Sequence, residues 1–131
     1  MKTSETRGKI VTGSQSDGPA NQTDDDQALI IKIRLSDEDV GTEEDEDEMF
    51  KLDEELREAI AATQAGEYDG HEFGGGMFLV YIYGPSAERL FAVAWPILAR
   101  REFKPGSCVI KRYGKPGANK VIVPLEKRAE N

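Results

Sequence analysis

Glu67-Tyr-Asp-Gly-His-Glu-Phe-Gly-Gly-Gly-Met-Phe-Leu-Val-Tyr-Ile-Tyr-Gly84-Pro85 is the stretch whose reading decides the fold. A short strand near Glu67 to Phe73 meets the glycines 74–76, which turn or bulge the chain into Met77 to Tyr83, an unbroken run of β-formers. Phe78, Val80 and Ile82 face one way, and Met77, Leu79, Tyr81 and Tyr83 the other. Pro85 suits a first helical position, and Ala87, Leu90, Phe91, Ala94 and Leu98 then follow a helical period. Pro96 predicts a kink, or a break and restart after Trp95.

Upstream, Ala28-Leu-Ile-Ile-Lys-Ile-Arg-Leu35 alternates, with Leu29, Ile31, Ile33 and Leu35 on one face and Lys32 and Arg34 on the other. Thr42 and Asp45 form a capping box with Asp in place of Glu, and the acidic run 43–48 meets the positive end of the helix dipole. Met49, Leu52, Leu56, Ala59 or Ile60, and Thr63 recur at spacings that give this helix a buried stripe, and Gly66 reads as its stop. Downstream, Ser107 to Tyr113 reads as a strand. A turn at Lys115-Pro-Gly117 leads to a last strand, Lys120 to Val123, placed at an edge because Pro124 cannot donate to a ladder. The resulting order, β-α-β-β-α-β plus one strand, predicts an α+β, ferredoxin-like split βαβ fold with two helices on one face of an antiparallel sheet. Residues 1–27 are polar, with little to bury, and predict a disordered tail; 28–126 form one domain and 127–131 a flexible end.

Length and charge set the bounds. The chain of 131 residues supports one core, and its single cysteine, Cys108, excludes an internal disulfide. No secretory h-region or membrane-length apolar run is present, so a cytoplasmic location is expected. The net charge of −8 is unevenly spread. Sixteen acidic side chains against Lys51 and Arg57 give −14 between Asp37 and Glu72, whereas nine basic against three acidic give +6 from Arg100 onward. Such a dipolar molecule attracts different partners at its two ends.

Little chemistry is legible. His71 is the only histidine, flanked by Asp69 and Glu72, and an acid–base role is one reading of it. Along a regular strand Asp69 and His71 share a face while Glu72 points away, which argues against a three-ligand metal site. The acidic run lacks the spacing and central Gly of an EF-hand, and glycines 74–76 lack a phosphate-loop signature. Cys108 reads as a small core residue. No catalytic residue, metal or cofactor is assigned. The working surface is placed on the sheet face away from the helices, with Lys32, Arg34, Leu79, Tyr81, Tyr83, Lys111 and Tyr113. Basic groups interleaved with aromatic rings suit single-stranded nucleic acid, but the acidic helix opposes a polyanion, and a protein partner or a second copy is the preferred occupant.

Tyr68-Asp-Gly-His-Glu-Phe-Gly-Gly-Gly76, Tyr83-Gly-Pro85, Leu90-Phe91 and Pro96-Ile-Leu98 together resemble a group of small bacterial proteins of unassigned function, over Ala28 to Leu125. The resemblance implies a bacterial, cytoplasmic, ferredoxin-like domain, with Tyr68, Asp69, His71 and Glu72 in its motif. Glu67-Tyr-Asp-Gly70 and the acid-rich helix are also similar to ribonuclease E inhibitor proteins, which implies regulation by protein binding. Neither resemblance transfers a catalytic residue. The preferred function is a non-catalytic protein-binding or regulatory module, self-associating as a homodimer through its sheet. The alternatives are a single-stranded nucleic-acid binder and a small enzyme using His71 and Asp69.

Overall fold

The computed structural model describes residues 26–35 and 41–125. The expected tail and flexible C-terminus lie outside these, apart from Asp26 and Gln27. Gln27 is not part of a tail: it opens β1 (Gln27–Arg34), and its side-chain oxygen accepts the Ala87 N–H at 2.8 Å.

After β1 come α1 (Glu43–Thr63), β2 (Glu67–Gly74), β3 (Met77–Gly84), α2 (Ala87–Ala99), β4 (Cys108–Arg112) and β5 (Lys120–Pro124). The strands form one five-stranded sheet in the order β2-β3-β1-β4-β5, with every neighbouring pair antiparallel. The fold is α+β, and both helices contribute to the cluster on one side of the sheet. Leu29, Ile31, Ile33, Phe78, Val80, Ile82 and Val109 meet Leu52, Leu56 and Ile60 of α1 and Leu90, Ala94 and Leu98 of α2 there. Most of these are fully buried, and at roughly 1.5–3 kcal/mol for each large side chain this layer is the main source of stability.

The helix boundaries follow local chemistry. At the start of α1, Thr42 Oγ1 accepts the Asp45 N–H at 3.0 Å, and Asp45 Oδ2 accepts the Thr42 N–H at 3.1 Å, so the capping box forms as expected. The end differs from expectation. α1 stops at Thr63 with Gln64 left-handed at φ 56°, and Gly66 is not its cap. Gly66 serves packing instead: a Cβ there would lie 2.1 Å from the Tyr83 carbonyl oxygen. Pro85 precedes the cap of α2 and is not its first helical residue; Ser86 Oγ accepts the Arg89 N–H at 3.1 Å. Nor does Pro96 break α2, which runs on to Ala99. Pro96 is near the C-terminal end, so its missing N–H frees only the Ala92 carbonyl and its ring constrains only one earlier turn.

Gly75 and Gly76, at φ 62° and 78°, make the two-residue turn between β2 and β3, where positive φ at both positions matches the twist of a hairpin. The β2–β3 register slips between Tyr68 and Gly70, leaving Asp69 in a bulge.

Candidate functional site

The sheet surface away from the helices is built in rows by strand register. One row runs Tyr81, Ile30, Ile110, Ile122, since Ile30 faces Tyr81 and Ile110, and Ile110 faces Ile122. On one side lies Tyr83, Ala28, Arg112, Lys120; on the other, Glu72, Leu79, Lys32, Cys108, Pro124. Arg34 extends the basic border opposite Met77. The surface is therefore an apolar band with cations on both flanks and two acidic groups on β2: Glu67, opposite Tyr83, and Glu72, which accepts the Tyr81 hydroxyl at 3.1 Å.

Lys32, Arg34, Leu79, Tyr81 and Tyr83 sit on this face as the alternation predicts. Lys111 and Tyr113 do not. Register sets Lys111 opposite Leu29, a residue of the helix-side core, so it points toward α2. Its ammonium contacts Glu88 at 3.1 Å and lies 4.7 Å above the Phe91 ring. The Tyr113 hydroxyl donates to the same Glu88 carboxylate. That bond, with Lys111 second, holds the Glu88 carboxyl below its usual range; the same bond, with burial second, raises the Tyr113 phenol against the pull of Lys111. The places on the sheet face belong to Ile110 and Arg112, one residue out of step.

The centre of the band is also less open than an unpaired sheet face suggests. Ala28, Ile30, Tyr81, Tyr83 and Ile110 form a second buried cluster, with Tyr81 at 8 % and Tyr83 at 3 % exposure. Toward β5 the band surfaces. Ile122 is 57 % exposed, and Val121, on the opposite face of the same strand, is 46 % exposed. On that helix side Phe91, half-buried beneath the Lys111 ammonium, stacks on Trp95 at 5.3 Å between centroids.

The motif residues serve a different place. His71 and Phe73 pair with Val80 and Phe78, so they face the helix side, where His71 meets α1. Its partner is Asp53 and not the neighbouring Asp69: Nδ1 lies 2.9 Å from Asp53 Oδ1, and Arg57 donates to Asp53 Oδ2 at 3.0 Å. An ionised carboxylate only accepts, so Nδ1 carries the hydrogen. The bulge at Asp69 takes that residue out of the alternation on which an Asp69–His71 pairing rested. Rings of Phe50, Phe73 and Phe78 lie 5.2–6.1 Å from the His71 ring, and the Arg57 guanidinium sits 4.6 Å above Tyr68. Glu72 points to the far face, with Tyr81.

Asp53 was hidden by its residue type. It falls on the buried stripe of α1, between Met49 and Leu56 at helical spacing, and an acid on such a stripe is the signal that marks a polar anchor. Cys108 is half-buried, and burial raises its thiol pKa, which suits packing better than nucleophilic attack. No cluster of ligating side chains suited to a metal occurs among the described residues, and no helix there is long and apolar enough to cross a membrane. No protein-family model, curated protein or solved structure matches the chain.

Proposed function

We propose that this chain is a non-catalytic protein-interaction module, with a ferredoxin-like core extended by one strand, that works through the β5 side of its sheet. The core reading is supported by the order β2-β3-β1-β4 and by the two helices that join the cluster on one side. The interaction reading rests on one observation: β5 is an edge strand that exposes Ile122 at 57 % and Val121 at 46 % on its two faces. Monomeric domains usually guard an edge with charge, and here the three central residues, Val121 to Val123, carry none.

Photo-crosslinking in cells tests this reading. A photoreactive side chain at Ile122 gives a discrete protein adduct, while the same group at Glu54, on the exposed side of α1, gives none. Equal labelling at both positions, or none at either, removes it.

Two other readings have less support. A single-stranded nucleic acid would need ring faces for its bases, and Tyr81 and Tyr83 are buried among neighbouring side chains. The Asp53–His71 pair has the geometry that orients a general base. Its surroundings are aromatic, and among the described residues no nucleophilic side chain is bonded to the ring, so a structural tie between β2 and α1 accounts for it.

A further inference from the structure

We infer that the partner on β5 is a second copy of this chain, paired strand to strand about a two-fold axis centred on Ile122. The inference rests on the interaction reading above and names its partner.

The main chain of β5 sets the register. The Tyr113 N–H donates to the Asn119 carbonyl at 2.9 Å, and the Leu125 N–H donates to the Ser107 carbonyl at 2.9 Å. Hydrogen-bonded pairs alternate along an antiparallel ladder, so the odd-numbered residues of β5 bond to β4. Lys120, Ile122 and Pro124 therefore turn their main-chain groups away from the sheet, where no further strand follows among the described residues.

That outward pattern is complementary to itself. With Ile122 opposite Ile122 of the second copy, each donates its N–H to the other's carbonyl. Lys120 then lies opposite Pro124 of the second copy, and its N–H reaches that carbonyl. The donor missing along β5 is the one proline lacks, at a place where this register still uses the proline's acceptor.

Side chains agree with the register. The row Tyr81, Ile30, Ile110, Ile122 continues into its own mirror order across the axis, so two five-stranded sheets become one with an unbroken apolar band. On the helix side, Val121 meets Val123 of the second copy. The two Lys120 side chains start about 14 Å apart by strand geometry, beyond the screening length of roughly 8–10 Å at physiological salt. The acidic helix α1 packs against β2, at the far edge of the sheet, which keeps the largest like charges apart.

The test uses the full chain. Wild type is expected to sediment at twice the 14.5 kDa chain mass. In a Cys108→Ser background, Ile122→Cys is bridged by a short bismaleimide, because its Cα atoms lie about 5.5 Å apart in a hydrogen-bonded pair, whereas Lys120→Cys is not. Ile122→Pro removes only outward N–H groups, so the chain still unfolds cooperatively, while the dimer dissociation constant rises roughly 30–100-fold. A wild-type monomer at the highest soluble concentration overturns the inference, as does bridging through Lys120→Cys in preference to Ile122→Cys. If either occurs while Ile122 still photo-crosslinks to a different protein, the interaction reading stands and the second copy is excluded.

Discussion

Ile30 and Ile31 are adjacent in β1, chemically identical and both buried, yet they belong to different structures. Ile31 enters a cluster fed by both helices and by β1, β3 and β4, with β2 and β5 joining only at the margin through the partly buried Tyr68, Phe73 and Val123, whereas Ile30 joins four other buried residues supplied by β1, β3 and β4 alone. The first cluster is a layer between sheet and helices, where each side chain has neighbours above and below. The second is one layer deep, held by its own cross-strand contacts. Stability is thus concentrated on the helix side, and the other side is available for tasks that a core cannot perform.

Three substitutions probe that contrast. Phe78→Ala, on the helix side, is expected to cost about 3–5 kcal/mol, because Phe78 is fully buried and in contact with Phe73 and His71. Denaturant titration measures it; a loss under about 1 kcal/mol means that the helix-side layer collapses easily around a cavity. Tyr81→Phe, on the far side, keeps the ring and removes the hydroxyl that binds Glu72, so the same titration should show about 0.5–1.5 kcal/mol. A cost matching that of Phe78→Ala would erase the distinction between the faces.

The smallest effect is at the sheet rim and appears only as pH dependence. Glu88 has its pKa lowered from the usual 4.5 by Tyr113 and then Lys111, so the folded state holds its proton less tightly than the unfolded chain. Its contribution is present above about pH 4.5 and is lost as pH falls through the lowered value. Tyr113 is shifted up from 10.0 by Glu88, so its contribution is full below that value and fades as pH rises beyond it. Glu88→Gln should flatten both limbs of the stability profile slightly. A profile unchanged in both limbs shows that solvent screens this exposed group completely.

The sequence carried the architecture because its periodicities were clean. Alternation in Ala28–Leu35 and Met77–Tyr83 assigned both strands to faces correctly, and Thr42 with Asp45 located the start of α1. Endings were harder to read. Glycine is favoured both as a helix cap and at close backbone contacts, and Gly66 does the second while Gln64 caps α1. The site was legible on β1 and β3 but slipped on β4. Lys111 and Tyr113 look like surface cations and rings, and only pairing with β1 reveals that Ile110 and Arg112 hold the places beside them. Asp53 as the partner of His71 is a contact across 18 positions between a helix and a bulged strand, which no local pattern encodes.

The bulge at Asp69 has a consequence for the size of any assembly. A sheet with two regular edges adds copies at both ends, and its growth is limited only by supply. Here the β2 margin is irregular between Tyr68 and Gly70 and lies against the acid-rich helix, while β5 is regular along its whole length. A molecule able to join at one margin and not at the other counts to two and stops, which separates a soluble pair from a fibre.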